Sequence, residues 1–207
     1  MKNWRPGREA LLLIYFPIYL LLFVLTEHFI TGDYWVSYCA LDDMIPFVKE
    51  FVYAYVLWFP LMLGTTLWLL VNDKSAFVRY AWMAIISLTL CHLCYVLFPS
   101  GQELRPAAVE GGGLAAWILR IIYSADTNTN VFPSMHVVGT LAALAGILDT
   151  KKIRPFARIL LTIVSLLVIL STVFVKQHST LDVFSGAALS LLIYLLVYRL
   201  PGKLRKN

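Results

Sequence analysis

The sequence predicts an all-α polytopic membrane protein with six transmembrane helices in one bundle, on three observations. Of its 207 residues 60% are hydrophobic and only 14% charged, with a mean hydropathy of +0.76, whereas a soluble domain carries roughly 25% charged residues. Six apolar stretches, at 10–30, 51–71, 77–99, 134–149, 156–176 and 181–199, approach the length of about 20 residues that a spanning helix needs. The basic residues alternate between the ends of these stretches. Lys2, Arg5 and Arg8, then Lys74 and Arg79, then Lys151, Lys152, Arg154 and Arg158, then Arg199, Lys203, Arg205 and Lys206 fall on one side, against Lys49, Arg105, Arg120 and Lys176 on the other. The positive-inside rule then places both termini in the cytoplasm, which agrees with an even number of spans.

Taken in order, the first stretch follows a basic N-terminus as a signal peptide would, but its length and the lack of a small-residue cleavage site favour a retained helix. The outer loop after it joins Asp33, Asp42 and Asp43 to Tyr34, Trp35 and Tyr38. The aromatics suit a membrane interface, and the acids read as solvated loop charges. Two of the three cysteines, Cys91 and Cys94, lie inside the third span and Cys39 is distant, so they form no disulfide framework. Cys91 and Cys94 with His92 lack the carboxylates and the fourth ligand of a metal site, and no metal is expected. His92 reads as an interior residue bonding a neighbouring helix.

The connection 100–133 holds Gly101, Pro106, Gly111, Gly112, Gly113 and Pro133 and is long enough to be a functional candidate. Inside it, 113–123 is broken by Arg120, too short to span, and reads as an interfacial or re-entrant helix. The fourth stretch is the shortest. With no repeat or linker, residues 1–207 form a single membrane-embedded domain. The pI near 9.1 and net charge of +5 do not indicate nucleic acid, because the cations are sorted by loop rather than gathered in a patch. The partner they indicate is the bilayer.

Two polar clusters open the fourth and sixth spans on the same outer face: Phe132-Pro133-Ser134-Met135-His136 and His178-Ser179-Thr180-Leu181-Asp182. Proline biases Phe132 away from helix and Ser134 is placed to cap the helix that follows. That sets His136 in a first helical turn, where free N–H groups and the dipole receive anions. Alternatively Ser134 is only a cap and His136 only a boundary residue. Ser179 to Asp182 fits a capping box, which leaves His178 unexplained. The four-residue spacing brings His178 and Asp182 to one face, so the carboxylate can fix the imidazole tautomer and leave the other nitrogen to attack. Gly139, Ala142, Ala143 and Gly146, with Ser185, Gly186, Ala187 and Ser190, permit close approach of the two helices. Arg105 suits bidentate phosphate binding. Lys176 either adds a second cation or snorkels to the headgroups.

At these residues the chain resembles the type 2 phosphatidic acid phosphatase superfamily, which includes vanadium haloperoxidases and lipid phosphotransferases. Its pattern, Lys-x6-Arg-Pro, Pro-Ser-Gly-His and Ser-Arg-x5-His-x3-Asp, is met by Arg105-Pro106, by Pro133-Ser134-Met135-His136, and by Ser171-Thr172 with His178 and Asp182. The match covers about 98–186. Phe98 stands where the family has lysine, Met135 where it has glycine and Thr172 where it has arginine. These departures resemble the branch of inositol phosphorylceramide synthase and related phosphotransferases.

The resemblance implies a metal-independent lipid phosphatase or phosphotransferase needing no cofactor. It implies that His178, oriented by Asp182, attacks a lipid phosphate to form a phosphohistidine. His136 serves as acid and then base, while Arg105, Ser134, Met135 at the helix start and Lys176 contact the phosphate. The expected location is the cell membrane, with the site extracytoplasmic. A transporter or scaffold is the rival reading. It would place ionisable residues mid-membrane, where apart from His92 the spans have almost none.

Overall fold

The computed structural model describes residues 7–29 and 33–200. Lys2, Arg5, Lys203, Arg205 and Lys206, used above for topology, lie outside the described residues. Five helices are long and apolar enough to cross a membrane: α1 (Arg8–Phe29), α2 (Lys49–Asn72), α3 (Lys74–Leu97), α6 (Pro155–Phe174) and α7 (Thr180–Arg199). Two shorter apolar helices complete the set, α4 (Leu114–Ala125) and α5 (Met135–Asp149). The stretch 134–149 therefore forms a helix of 15 residues, about 22 Å long at 1.5 Å per residue, against a hydrocarbon core of about 30 Å.

That short helix is the centre of the bundle. It packs against α2, α3, α6 and α7, and Val137, Val138, Gly139, Thr140, Ala142, Ala143 and Gly146 on it are buried. Small side chains set the closeness. A Cβ at Gly146 would lie 2.9 Å from Leu69 Cδ1 and 3.0 Å from Tyr80 Cβ, and one at Gly186 would lie 3.1 Å from the Ser134 carbonyl oxygen. Gly186 thus lets α7 approach the backbone of α5 as predicted, whereas Gly139 and Gly146 admit side chains of α2 and α3 instead. Around this core, α1 and α6 expose long runs of Leu, Ile, Val and Phe, among them Leu20, Leu21, Val24, Ile159, Ile163 and Leu167, as surfaces in contact with acyl chains do.

Local signals account for the ends. Asp73 caps α3 by accepting from the Ala76 N–H at 3.2 Å, and so starts the helix earlier than residue 77. Asp73 also accepts from Thr150 Oγ1 at 2.7 Å, and Arg79 pairs with Asp149, which together tie the α3 start to the α5 end. Inside α2 the regular helix is interrupted at Leu57, three residues before Pro60, where the ring displaces the helical hydrogen bond. In the third span His92 Nε2 lies 3.2 Å from Thr26 Oγ1 of α1, the interhelical contact expected of it.

At the opposite end from Arg79 and Asp149 the loops are folded. Trp35–Val36 pairs in parallel with Ser100–Gly101. Helix α4 buries Ala115, Ala116 and Leu119 against Val52, Tyr55 and Val175 and exposes Leu114, Trp117, Arg120 and Ile121, a mixed outer face suited to a membrane interface. One expectation fails here. Asp42 is not a solvated loop acid; it is 3% exposed in a one-turn helix, Leu41–Met44, and accepts from Ser179 Oγ at 2.6 Å, Thr180 N–H at 2.7 Å and Cys39 N–H at 2.9 Å. The Asp42 carboxylate takes the Thr180 N–H, a donor at the start of α7 that would otherwise be left unpaired in a buried place.

Candidate active site

Both predicted clusters become helix starts, side by side. Ser134 caps α5, its hydroxyl accepting from the Val137 N–H at 3.4 Å. Its own N–H donates to the Asp182 carbonyl oxygen at 3.1 Å, which joins the α5 start to the first turn of α7. Ser179 caps α7 in a complete capping box with Asp182. The Pro133 carbonyl accepts from Tyr95 Oη at 2.7 Å, so this turn is bonded to α3 as well.

The two imidazoles meet. His136 Nδ1 lies 3.3 Å from His178 Nε2, and the side chains are 6% and 5% exposed. Tyr55 and Trp58 of α2 flank His136 with ring centroids at 4.7 and 4.9 Å. On the far side of His178, Nδ1 stands 3.4 Å from Asp182 Oδ2, at ion-pair distance but without a hydrogen-bond partner among the described residues. Asp182 is occupied by its cap to the Ser179 N–H at 2.9 Å and by the Ser37 hydroxyl at 2.5 Å. The four-residue spacing does bring His178 to Asp182, by a different turn from the one expected. His178 precedes the Ser179 cap and lies outside the helix; the capping turn, not a helical turn, brings it to Asp182.

The histidines border a cavity of about 10 Å³ lined also by Phe23, Asp126, Thr127, Thr129, Asn130, Val131, Met135 and Gln177. That is the scale of one water, and no phosphoryl group fits between nitrogens 3.3 Å apart. The site is closed over by the segment 126–131, which α1 holds through Glu27: its carboxylate accepts from Thr127 Oγ1, from the Thr127 N–H at 3.2 Å and from Asn130 Nδ2 at 2.6 Å.

Arg105 reaches the neighbourhood at one remove. Its guanidinium donates to the carbonyl oxygens of Asp126 at 2.9 Å and Thr127 at 2.6 Å and to the Gln177 side chain, and it lies 4.4 Å over the Tyr123 ring. Burial lowers its basicity, against the opposing pull of Asp126. Asp126 accepts from Gln177 Nε2 at 2.9 Å and Tyr55 Oη at 3.2 Å. Burial pushes its carboxyl up, more than His178 and Arg105 pull it down.

Lys176 is not brought to the histidines. Its ammonium donates to the carbonyl oxygens of Asp42 at 2.9 Å and Ile45 at 2.6 Å, closing the end of the Leu41–Met44 turn. Phe98, at the position of the family's lysine, is 66% exposed and turned from the site, and Thr172 is buried with its carbonyl accepting from the Gln177 and His178 N–H groups. No group of three or more His, Cys, Asp or Glu side chains placed to hold a metal is found among the described residues. Glu27, Asp126, Asn130 and Gln177 went unread in the sequence. The available signal was the polar run from Asp126 to Asn130 just ahead of Pro133, inside the connection already marked by its length.

Residues 26–196 match the family model of the PAP2 superfamily, which spans most of the chain and contains every residue of this site except Phe23. The chain belongs to the PAP2 superfamily. That membership supports a phosphatase- or phosphotransferase-type activity, and the five long apolar helices fit a membrane protein. A comparison with curated proteins finds no match.

Proposed function

We propose that this chain is a membrane lipid phosphatase that hydrolyses a lipid phosphomonoester or diphosphate through a phosphohistidine intermediate. The observation that carries it is the pair of buried imidazoles, 3.3 Å apart, at two adjoining helix starts. In this reading α5 acts as a sixth crossing element despite its length, both termini are cytoplasmic, and the site faces out of the cell membrane.

The chemistry follows from the placement of the nitrogens. His178 Nδ1 faces Asp182, so Nε2 is the nitrogen directed toward the substrate, and the carboxylate stabilises the cation that forms as Nε2 attacks phosphorus. The bond from phosphorus to the lipid oxygen breaks while His136 donates its proton to the departing alkoxide. The N–H groups at the start of α5, around Met135, and the Ser134 hydroxyl stabilise charge on the phosphoryl oxygens. Arg105 contributes positive potential and holds the segment 126–127 in place. In the second step water loses a proton to His136 and attacks phosphorus, and the phosphorus–nitrogen bond breaks with its electron pair returning to Nε2. Substrate entry separates the two imidazoles, since apo geometry of catalytic groups differs from that of the loaded site.

A second reading, a lipid phosphotransferase similar to inositol phosphorylceramide synthase, is favoured by Phe98, Met135 and Thr172, which depart from the phosphatase pattern. Purified protein assayed against a panel of lipid phosphates, with and without alcohol acceptors and with chelator present, separates the readings. Phosphate release undiminished by chelator is expected. Transfer without release would favour the phosphotransferase, and neither release nor transfer on any lipid would return the rival of a non-enzymatic membrane protein.

A further inference from the structure

Asn130 carries a feature that the scheme above leaves unused. It is 4% exposed, it lines the cavity of the two histidines, and its Oδ1 is buried with no hydrogen-bond partner among the described residues. The amide orientation is fixed chemically. Nδ2 donates to Glu27 Oε1 at 2.6 Å and to Thr129 Oγ1 at 3.3 Å, and a carboxylate only accepts, so nitrogen faces Glu27 and oxygen is left over. The backbone holds the residue as firmly. Its N–H donates to the Ser100 carbonyl oxygen at 2.6 Å, and its φ of 56° is one that asparagine tolerates.

An unpaired buried acceptor requires a donor. An ionised phosphate oxygen offers none, so Asn130 Oδ1 is not a phosphate contact. The component of the reaction that carries a hydrogen to donate is the hydroxyl compound of the second step. We propose that Asn130, oriented by Glu27, positions the attacking acceptor and selects water. Water has two O–H bonds: one proton passes to His136 as oxygen attacks phosphorus, while the other O–H donates to Asn130 Oδ1 and remains on the product phosphate. A monohydric alcohol has a single O–H, which His136 takes, and leaves Asn130 unpaired. A diol can satisfy both. The cavity, about 10 Å³, matches the smallest of these.

The inference rests on the phosphatase reading, and its test separates the two. Using the lipid phosphate that turns over in the panel, labelled on phosphorus, the partition of the phosphohistidine between water, methanol and ethylene glycol is measured in the wild type and in Asn130→Gly. Glycine accepts the positive φ and removes the amide. Expected are an intact burst of phosphohistidine, dephosphorylation by water slowed roughly five- to tenfold, and a methanol-to-water ratio raised by about that factor, the scale of one neutral hydrogen bond. In the wild type ethylene glycol captures more phosphoryl group per hydroxyl than methanol. An unchanged methanol-to-water ratio in Asn130→Gly overturns the assignment, as does equal slowing of both chemical steps. If the glycine variant fails to assemble, Asn130→Ala, which also removes the amide oxygen and costs only the strain of a positive φ, replaces it under the same criterion. A wild type that forms no phosphohistidine on any lipid defeats the phosphatase reading instead.

Discussion

His136 Nδ1 and His178 Nε2 face each other at 3.3 Å, one from the first turn of α5 and the other from the turn before α7. Neither helix contains both halves of the pair. Their separation is set by the contact of two helix starts, where the Ser134 N–H reaches the Asp182 carbonyl and Gly186 admits the Ser134 backbone.

The two imidazoles are expected to fail differently. In the proposed mechanism His178→Ala removes the nucleophile and should lower turnover about a thousandfold or more with every lipid phosphate. His136→Ala removes the proton donor and should cost about 10²- to 10⁴-fold on an alkyl phosphate but far less on nitrophenyl phosphate, whose leaving group needs no proton. Equal losses on both substrates would argue against the acid role.

Asp182 has separable duties as cap and as partner of His178. Asp182→Asn retains an oxygen for the Ser179 N–H but removes the charge beside His178, so turnover should fall on the order of a hundredfold or more with little change in melting temperature. Asp182→Ala strands the Ser179 N–H and the Ser37 hydroxyl as well and should cost about 2–4 kcal/mol of stability. Thermal unfolding in detergent, measured alongside turnover, resolves the two variants.

The contrast between neighbouring acids in the loop between α1 and α2 is equally sharp. Asp42→Ala leaves the Thr180 and Cys39 N–H groups without their carboxylate and should destabilise by about 2–3 kcal/mol. Asp43, exposed and bonded to Tyr38, should tolerate alanine within about 0.5 kcal/mol. Similar melting points for the two would refute the structural role given to Asp42.

The raised Asp126 carboxyl has a signed consequence. A carboxyl whose folded value lies above its unfolded value binds more protons when folded, so its contribution favours the fold at acid pH and is lost as pH rises through the folded value. Asp126→Asn, neutral throughout, should therefore compare better with wild type at alkaline than at acid pH in thermal unfolding. A difference that does not vary with pH would show that Asp126 is not held above the usual carboxylate range.

The histidine pair was legible because its signals are local. A proline, a capping serine and a following histidine mark the start of α5, and Ser179 with Asp182 marks the start of α7, whatever the rest of the chain does. Apolar length likewise exposed the five long helices. Asp42, Glu27 and Asn130 gave no comparable signal, because each acts on a segment distant in sequence: Glu27 on Asn130 across 103 residues and Asp42 on Thr180 across 138. Lys176 misled for the same reason, since nothing near it announces that its ammonium closes the turn at Ile45.

The shortness of α5 also sets the depth of the two histidines. A 15-residue helix surrounded by longer neighbours leaves the outer part of the bundle's middle to be filled by chain that is not helical, and the segment 126–131 fills it. The histidines consequently sit beneath that segment rather than at the protein surface. Under the proposed function, a lipid phosphate has to shed most of its water to reach them. In that drier place each fixed donor acts on it more strongly than it would at the surface, which gives a site short of two cations a way to bind phosphate with those it has.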